Sequence, residues 1–191
     1  MIQTKKQPNV YPGMLNSSVE FFAVESEMKF MTNSQVKCIS QMPQDLKELC
    51  DAEIEKDAEV SVALLKWHPA SKSKRRKQFL ICRYGGLDFS ADIDNNQFLK
   101  GDYWDCPSRG TCPFNGVICQ DPRYNNVSLM PIDVSLMKAL STNLTNEAIA
   151  DQLNLALGSF HKYKKQLYAK LGVHVQTKQD VALIAKSLNL I

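Results

Sequence analysis

Residues 131–191 carry apolar side chains at helical spacing in four successive runs, and the third run is basic without a single acid. A period near 3.6 excludes strands, so this third of the chain is confined to an all-α arrangement. Ile132, Leu136, Met137 and Leu140 trace one face of a first helix. Thr145 suits the N-cap of a second, whose Ile149 and Leu153 point inward. Phe160, Leu167 and Leu171 form the buried stripe of a third, and Gly172 closes it, as glycine does just past a helix end. Thr177 and Asp180 have the spacing of a capping box for a fourth, bearing Val181, Ile184, Leu188 and Leu190.

Charge is distributed unevenly around that pattern. Residues 128–191 hold seven Lys against four acids, whereas residues 1–127 hold sixteen basic and sixteen acidic side chains. The net +3 therefore sits in the last third. Lys162, Lys164, Lys165 and Lys170 lie on the third helix, which marks it for a polyanionic partner rather than for a solvated surface alone.

Upstream, residues 1–42 are weakly patterned, with 19–24 apolar enough for a buried strand or a short amphipathic piece. Residues 43–67 read as one acidic amphipathic helix, with Pro43 in its first turn and His68-Pro69 at its end. The run 71–77 has five basic side chains in seven residues and reads as an exposed loop that offsets the acidic helix or touches phosphates. Residues 78–84 and 87–93 flank Gly85-Gly86 and predict a β-hairpin, with Asp94-Asn95-Asn96 as a following turn.

Cys106, Cys112 and Cys119 fall within fourteen residues, and Cys82 on the expected hairpin is a fourth candidate thiol. Clustered cysteines in a reducing compartment are metal ligands or catalytic groups more often than disulfides. Four thiolates with no nearby histidine suit structural zinc, with an iron–sulfur cluster as the alternative and simple burial as the third reading. Cys38 and Cys50 are expected in the core. No phosphate loop, nucleophile elbow or paired His-Glu motif is present, so no enzyme is expected. No run is apolar enough to span a membrane, and residues 1–8 lack the apolar core of a secretory signal, which places the chain in the cytoplasm.

Leu-Thr-Asn-Glu-Ala-Ile-Ala-Asp-Gln-Leu at 144–153, followed by Lys-Leu-Gly-Val at 170–173, resembles the LuxR-type (GerE-like) DNA-binding domain. The resemblance covers 128–191. It implies a helix-turn-helix whose third helix, at about 157–171, enters the major groove of double-stranded DNA. It also implies a homodimer contact through the last helix and RNA polymerase as a further partner. Ser159, His161, Lys162 and Lys165 stand where that family touches DNA, and Lys164 adds a phosphate contact. Ala156 replaces the family's serine cap, and Lys162 replaces a small apolar residue. The cysteine segment is similar, more loosely, to small LuxR-tailed regulators of Bacteroidetes and their phages.

The expectation is thus an α+β chain in three parts. Residues 1–42 are poorly assigned, 43–127 form a mixed α/β region with the cysteine cluster, and 128–191 form the DNA-binding domain. Its function would be sequence-specific transcription regulation. The rivals are a metal- or redox-sensing regulator switched through the cysteines, and a protein-interaction module using the four-helix tail.

Overall fold

The computed structural model describes residues 10–191 except Ser26, Asp105 and Val173. The reading of residues 1–8, and Val173 of the helical motif, lie outside the described residues. The chain is α+β, and it divides into two compact units, 1–120 and 121–191.

The first unit begins with a three-stranded antiparallel meander of β1 (Glu20–Val24), β2 (Glu27–Thr32) and β3 (Gln35–Cys38). Phe21 and Phe30 are paired in register and fully buried, each contributing about 2–3 kcal/mol through apolar area removed from water. Asn33 and Ser34 take positive φ between β2 and β3, the twist a two-residue hairpin requires. Asn95-Asn96 serves the same purpose between β4 (Ile93–Asp94) and β5 (Gln97–Phe98).

Three helices share one core with the meander. Residues 43–67 form two helices rather than one, α1 (Gln44–Glu55) and α2 (Ala58–Trp67). Asp57 breaks the run because its carboxylate accepts the Val60 N–H as an N-cap, a role aspartate fills better than a helix interior. The basic run is not a loop, and 78–84 is not a strand: both belong to α3 (Lys72–Tyr84). Ser71 caps that helix by accepting the Lys74 N–H, and Phe79, Leu80, Cys82 and Tyr84 are its buried side chains near the end. Arg76 holds Asp51 of α1 through two hydrogen bonds of 2.6 and 2.9 Å, and Lys72 joins at 3.0 Å.

Gly85 ends α3 with an ordinary negative φ, so the Gly-Gly pair makes no hairpin. Its lack of a side chain serves close approach instead: a Cβ there would lie 2.5 Å from the Ile81 carbonyl and 2.9 Å from the Trp104 indole. The expected strand over 87–93 is also missing, and Phe89 is exposed. Only its end, Ile93, pairs, bridging to Val19 ahead of β1. Cys50 is buried as expected, whereas Cys38 is exposed at the end of edge strand β3.

The second unit opens with a small hairpin, β6 (Arg123–Tyr124) and β7 (Val127–Ser128), again turned by two asparagines at positive φ, Asn125 and Asn126. Four helices follow: α4 (Pro131–Leu140), α5 (Asn146–Gln152), α6 (Leu157–Leu171) and α7 (Lys178–Ser187). Helix α4 packs on α7 and α6, and α5 packs on α6. Leu136, Met137, Leu140, Ile149, Phe160, Leu167, Leu171, Val181 and Ala185 are buried. Among the described residues no helix is long and apolar enough to cross a membrane.

Candidate nucleic-acid interface

Helix α5 starts where Thr145 accepts the Ala148 N–H at 3.2 Å. It ends two residues before α6's own N-cap approach begins, at Asn154, whose φ of 53° lets the chain reverse within four residues. Asparagine tolerates this left-handed conformation better than most side chains. Helix α6 then begins without a side-chain cap, because Ala156 has no oxygen to offer its first N–H groups. It stops at Gly172, whose φ of 116° suits glycine.

Phe160, Leu167 and Leu171 are fully buried on one stripe of α6. At about 100° per residue, Lys162 and Lys165 point away from that stripe, and both are exposed. Ser159 and His161 are exposed on either side of them. Lys164 is different. It lies beside the buried stripe, half-buried, with its ammonium 5.5 Å from the centre of the Tyr168 ring. Burial first, and then the charge of Lys178, holds its pKa below the usual lysine range. The fourth lysine of the helix, Lys170, is neutralised by buried Asp133 of α4 at 2.5 Å.

The outward face of α6 thus keeps Lys162 and Lys165 beside His161 and Ser159. Lys178 is the residue that sequence reasoning missed. Its ammonium donates to the Leu144 carbonyl at 2.6 Å from the first turn of α7, and its charge reaches Lys164. Nothing in a linear reading brings position 178 to positions 144 and 164. The fourth helix itself was legible: Thr177 and Asp180 exchange the hydrogen bonds of a capping box.

In the first unit, residues 106–119 run through successive turns, with Gly110 and Gly116 at positive φ. Cys82 sits in the last turn of α3, not on a hairpin, and is buried. Burial first pushes its thiol up to about 11, the Gln78 amide donating at 3.2 Å opposes this, and the thiols of Cys119, Cys106 and Cys112 add to it. The charges of the three later thiols therefore reach Cys82. Cys112 accepts the Phe114 N–H at 3.4 Å, and the Cys119 thiol donates to Asn115 Oδ1 at 3.7 Å. Yet among the described residues no three His, Cys, Asp or Glu side chains form a group ready to hold a metal ion. The later thiols reach Cys82 by charge without forming a closed cage.

Neither protein-family models, nor curated proteins, nor solved structures match this chain.

Proposed function

We propose that the chain is a sequence-specific, double-stranded DNA-binding regulator of transcription whose helix α6 enters the major groove. The observation that supports this most is the outward face of α6. It presents Lys162, Lys165, His161 and Ser159 opposite an apolar stripe, on a helix without acids that follows a four-residue turn. In this reading Ser159 and Lys164 meet backbone phosphates, while His161, Lys162 and Lys165 meet base edges. Leu183, 69 % exposed on α7, is the side chain through which two copies would associate. RNA polymerase is the partner through which such a regulator would act.

DNA binding through released counterions weakens as salt rises. Each phosphate neutralised should add about −0.9 to the slope of log K against log salt. A gel-shift titration on a site selected from random oligonucleotides tests this. Lys165→Ala should weaken binding to that site, and unaltered binding would remove α6 from the interface.

A second reading concerns the cysteines and is supported by the charges of three later thiols reaching Cys82. We propose that Cys82, Cys106, Cys112 and Cys119 take a structural zinc ion once their sulfurs draw closer, in which case zinc would staple α3 to the turns at 106–119. An iron–sulfur cluster is the alternative occupant. Metal analysis and the absorption spectrum of the purified protein separate the two, since zinc is colourless. A metal-free protein that stays folded in chelator would dismiss both. Switching of DNA binding by metal or oxidation would show as a change in the gel shift on chelation.

A further inference from the structure

Glu20 and Asp92 are each 0 % exposed, and each leaves one carboxylate oxygen without a donor. The second oxygen of Glu20 accepts the Asp88 N–H at 2.9 Å, and that of Asp92 accepts the Phe21 N–H at 2.6 Å. Asp102, whose Oδ2 is also buried without a donor, is in side-chain contact with both Asp88 and Asp92. Three separate segments thus bring their acids together: β1, the loop at 85–92 and the stretch at 99–104. An ionised carboxylate has no hydrogen to give, so contact between two of them is a hydrogen bond only when one is protonated. Fully ionised, the group would bury several charges with orphaned oxygens, which is strongly unfavourable.

Tyr84 of α3 faces Asp92 and Asp102, the charges of Arg83 and of Glu53 of α1 reach that tyrosine in turn, and Arg109 lies over the ring of Tyr103, next to Asp102. The Arg83 guanidinium is already engaged by the Ile118 carbonyl and by Asp57. No metal-ready group of three side chains exists among the described residues. Protons held on the carboxyls would lower the cost of burying them.

We propose that Glu20 and Asp92 stay protonated near neutral pH, with Asp92 sharing its proton with Asp102, forming a clasp that ties residues 85–102 to β1 and loosens as pH rises. Burial first, and then the neighbouring carboxyls, pushes Glu20 up to about 9 and drives Asp92 and Asp102 upward as well. The sign follows from linkage. Folded carboxyls with raised pKa bind more protons than the unfolded chain, so their stability is fully present below about pH 4 and is lost as pH rises through the folded values. The clasp holds the stretch that leads into the cysteine segment, so alkalinity loosens that part of the first unit before the helices of the second.

The full chain reports on this directly, because both tryptophans, Trp67 and Trp104, belong to the first unit. Urea unfolding followed by tryptophan fluorescence at pH 5, 6, 7 and 8 should show the folding constant falling about tenfold per pH unit for each carboxyl that keeps its proton, about a hundredfold for Glu20 and Asp92 together. Glu20→Gln and Asp92→Asn, which keep an acceptor oxygen for the same N–H groups, should each flatten that slope. A constant unchanged or rising with pH would overturn the clasp, and this measurement stands even if a variant fails to fold. So would variants that retain the full slope. Recovery of the pH 5 stability at pH 8 on adding millimolar calcium or magnesium chloride would also overturn it, since a cation rather than shared protons would then hold the acids.

Discussion

Asp51 shows how much one side chain can decide. Burial alone would raise its pKa, but hydrogen bonds from Arg76 and Lys72 outweigh burial and hold the carboxyl below the usual aspartate range. With side-chain exposures of 13 % and 18 %, Asp51 and Arg76 are shielded enough for a two-pronged ion pair to matter. Asp51→Asn should therefore destabilise the first unit by about 1–3 kcal/mol near neutral pH. A carboxylate with a depressed pKa contributes above its unfolded value and loses that contribution as pH falls. The gap between variant and parent, read from tryptophan fluorescence, should close below about pH 4. Gly172 works through backbone rather than charge. Gly172→Ala forces a Cβ onto a residue at φ 116°, 3.1 Å from the His174 ring, and should cost about 1–2 kcal/mol. Unfolding followed by helical ellipticity should detect that loss, while the tryptophan transition, confined to the first unit, stays in place.

Among the elements, α6 is the one whose local sequence and proposed role pull in different directions. Its buried stripe, its basic outward face and its glycine stop were all legible, because each depends on spacing within fifteen residues. Its uncapped start was legible too, since Ala156 has no oxygen. Ala156→Ser should stabilise the second unit by about 1 kcal/mol, measurable as a raised ellipticity midpoint; no change would mean that the first turn already finds other acceptors. Helix α3 is the opposite case. Residues 78–84 are rich in β-formers and precede two glycines, so local propensity favoured a strand. What decided for a helix was the Ser71 cap, the Arg76 and Lys72 clamp on Asp51, and the burial of Phe79, Leu80 and Tyr84 against the rest of the first unit. A reading limited to neighbours in the chain has no access to Asp51, twenty-five residues away from Arg76.

For the whole molecule, each unit has its own buried core, and each should fold as a unit in its own right. A fragment spanning 121–191 is expected to be helical and to melt cooperatively. A broad, non-cooperative melt would mean that its helices depend on the first unit.

The sequence by itself determined the four C-terminal helices, the caps of α5 and α7, the outward lysines of α6, the break after residue 67 and the turn at Asn95-Asn96. These follow from periodicity and from side chains that bond their own backbone, interactions a few residues long. Tertiary structure, with the local Ser71 cap, decided that 72–84 is a helix, and it alone brought Cys82 within reach of the charges of the later cysteines. It also placed Lys178 beside Lys164 and drew Glu20, Asp88, Asp92 and Asp102 together. Each of these joins residues distant in the chain, where burial and charge outweigh local preference, and no local pattern records that balance.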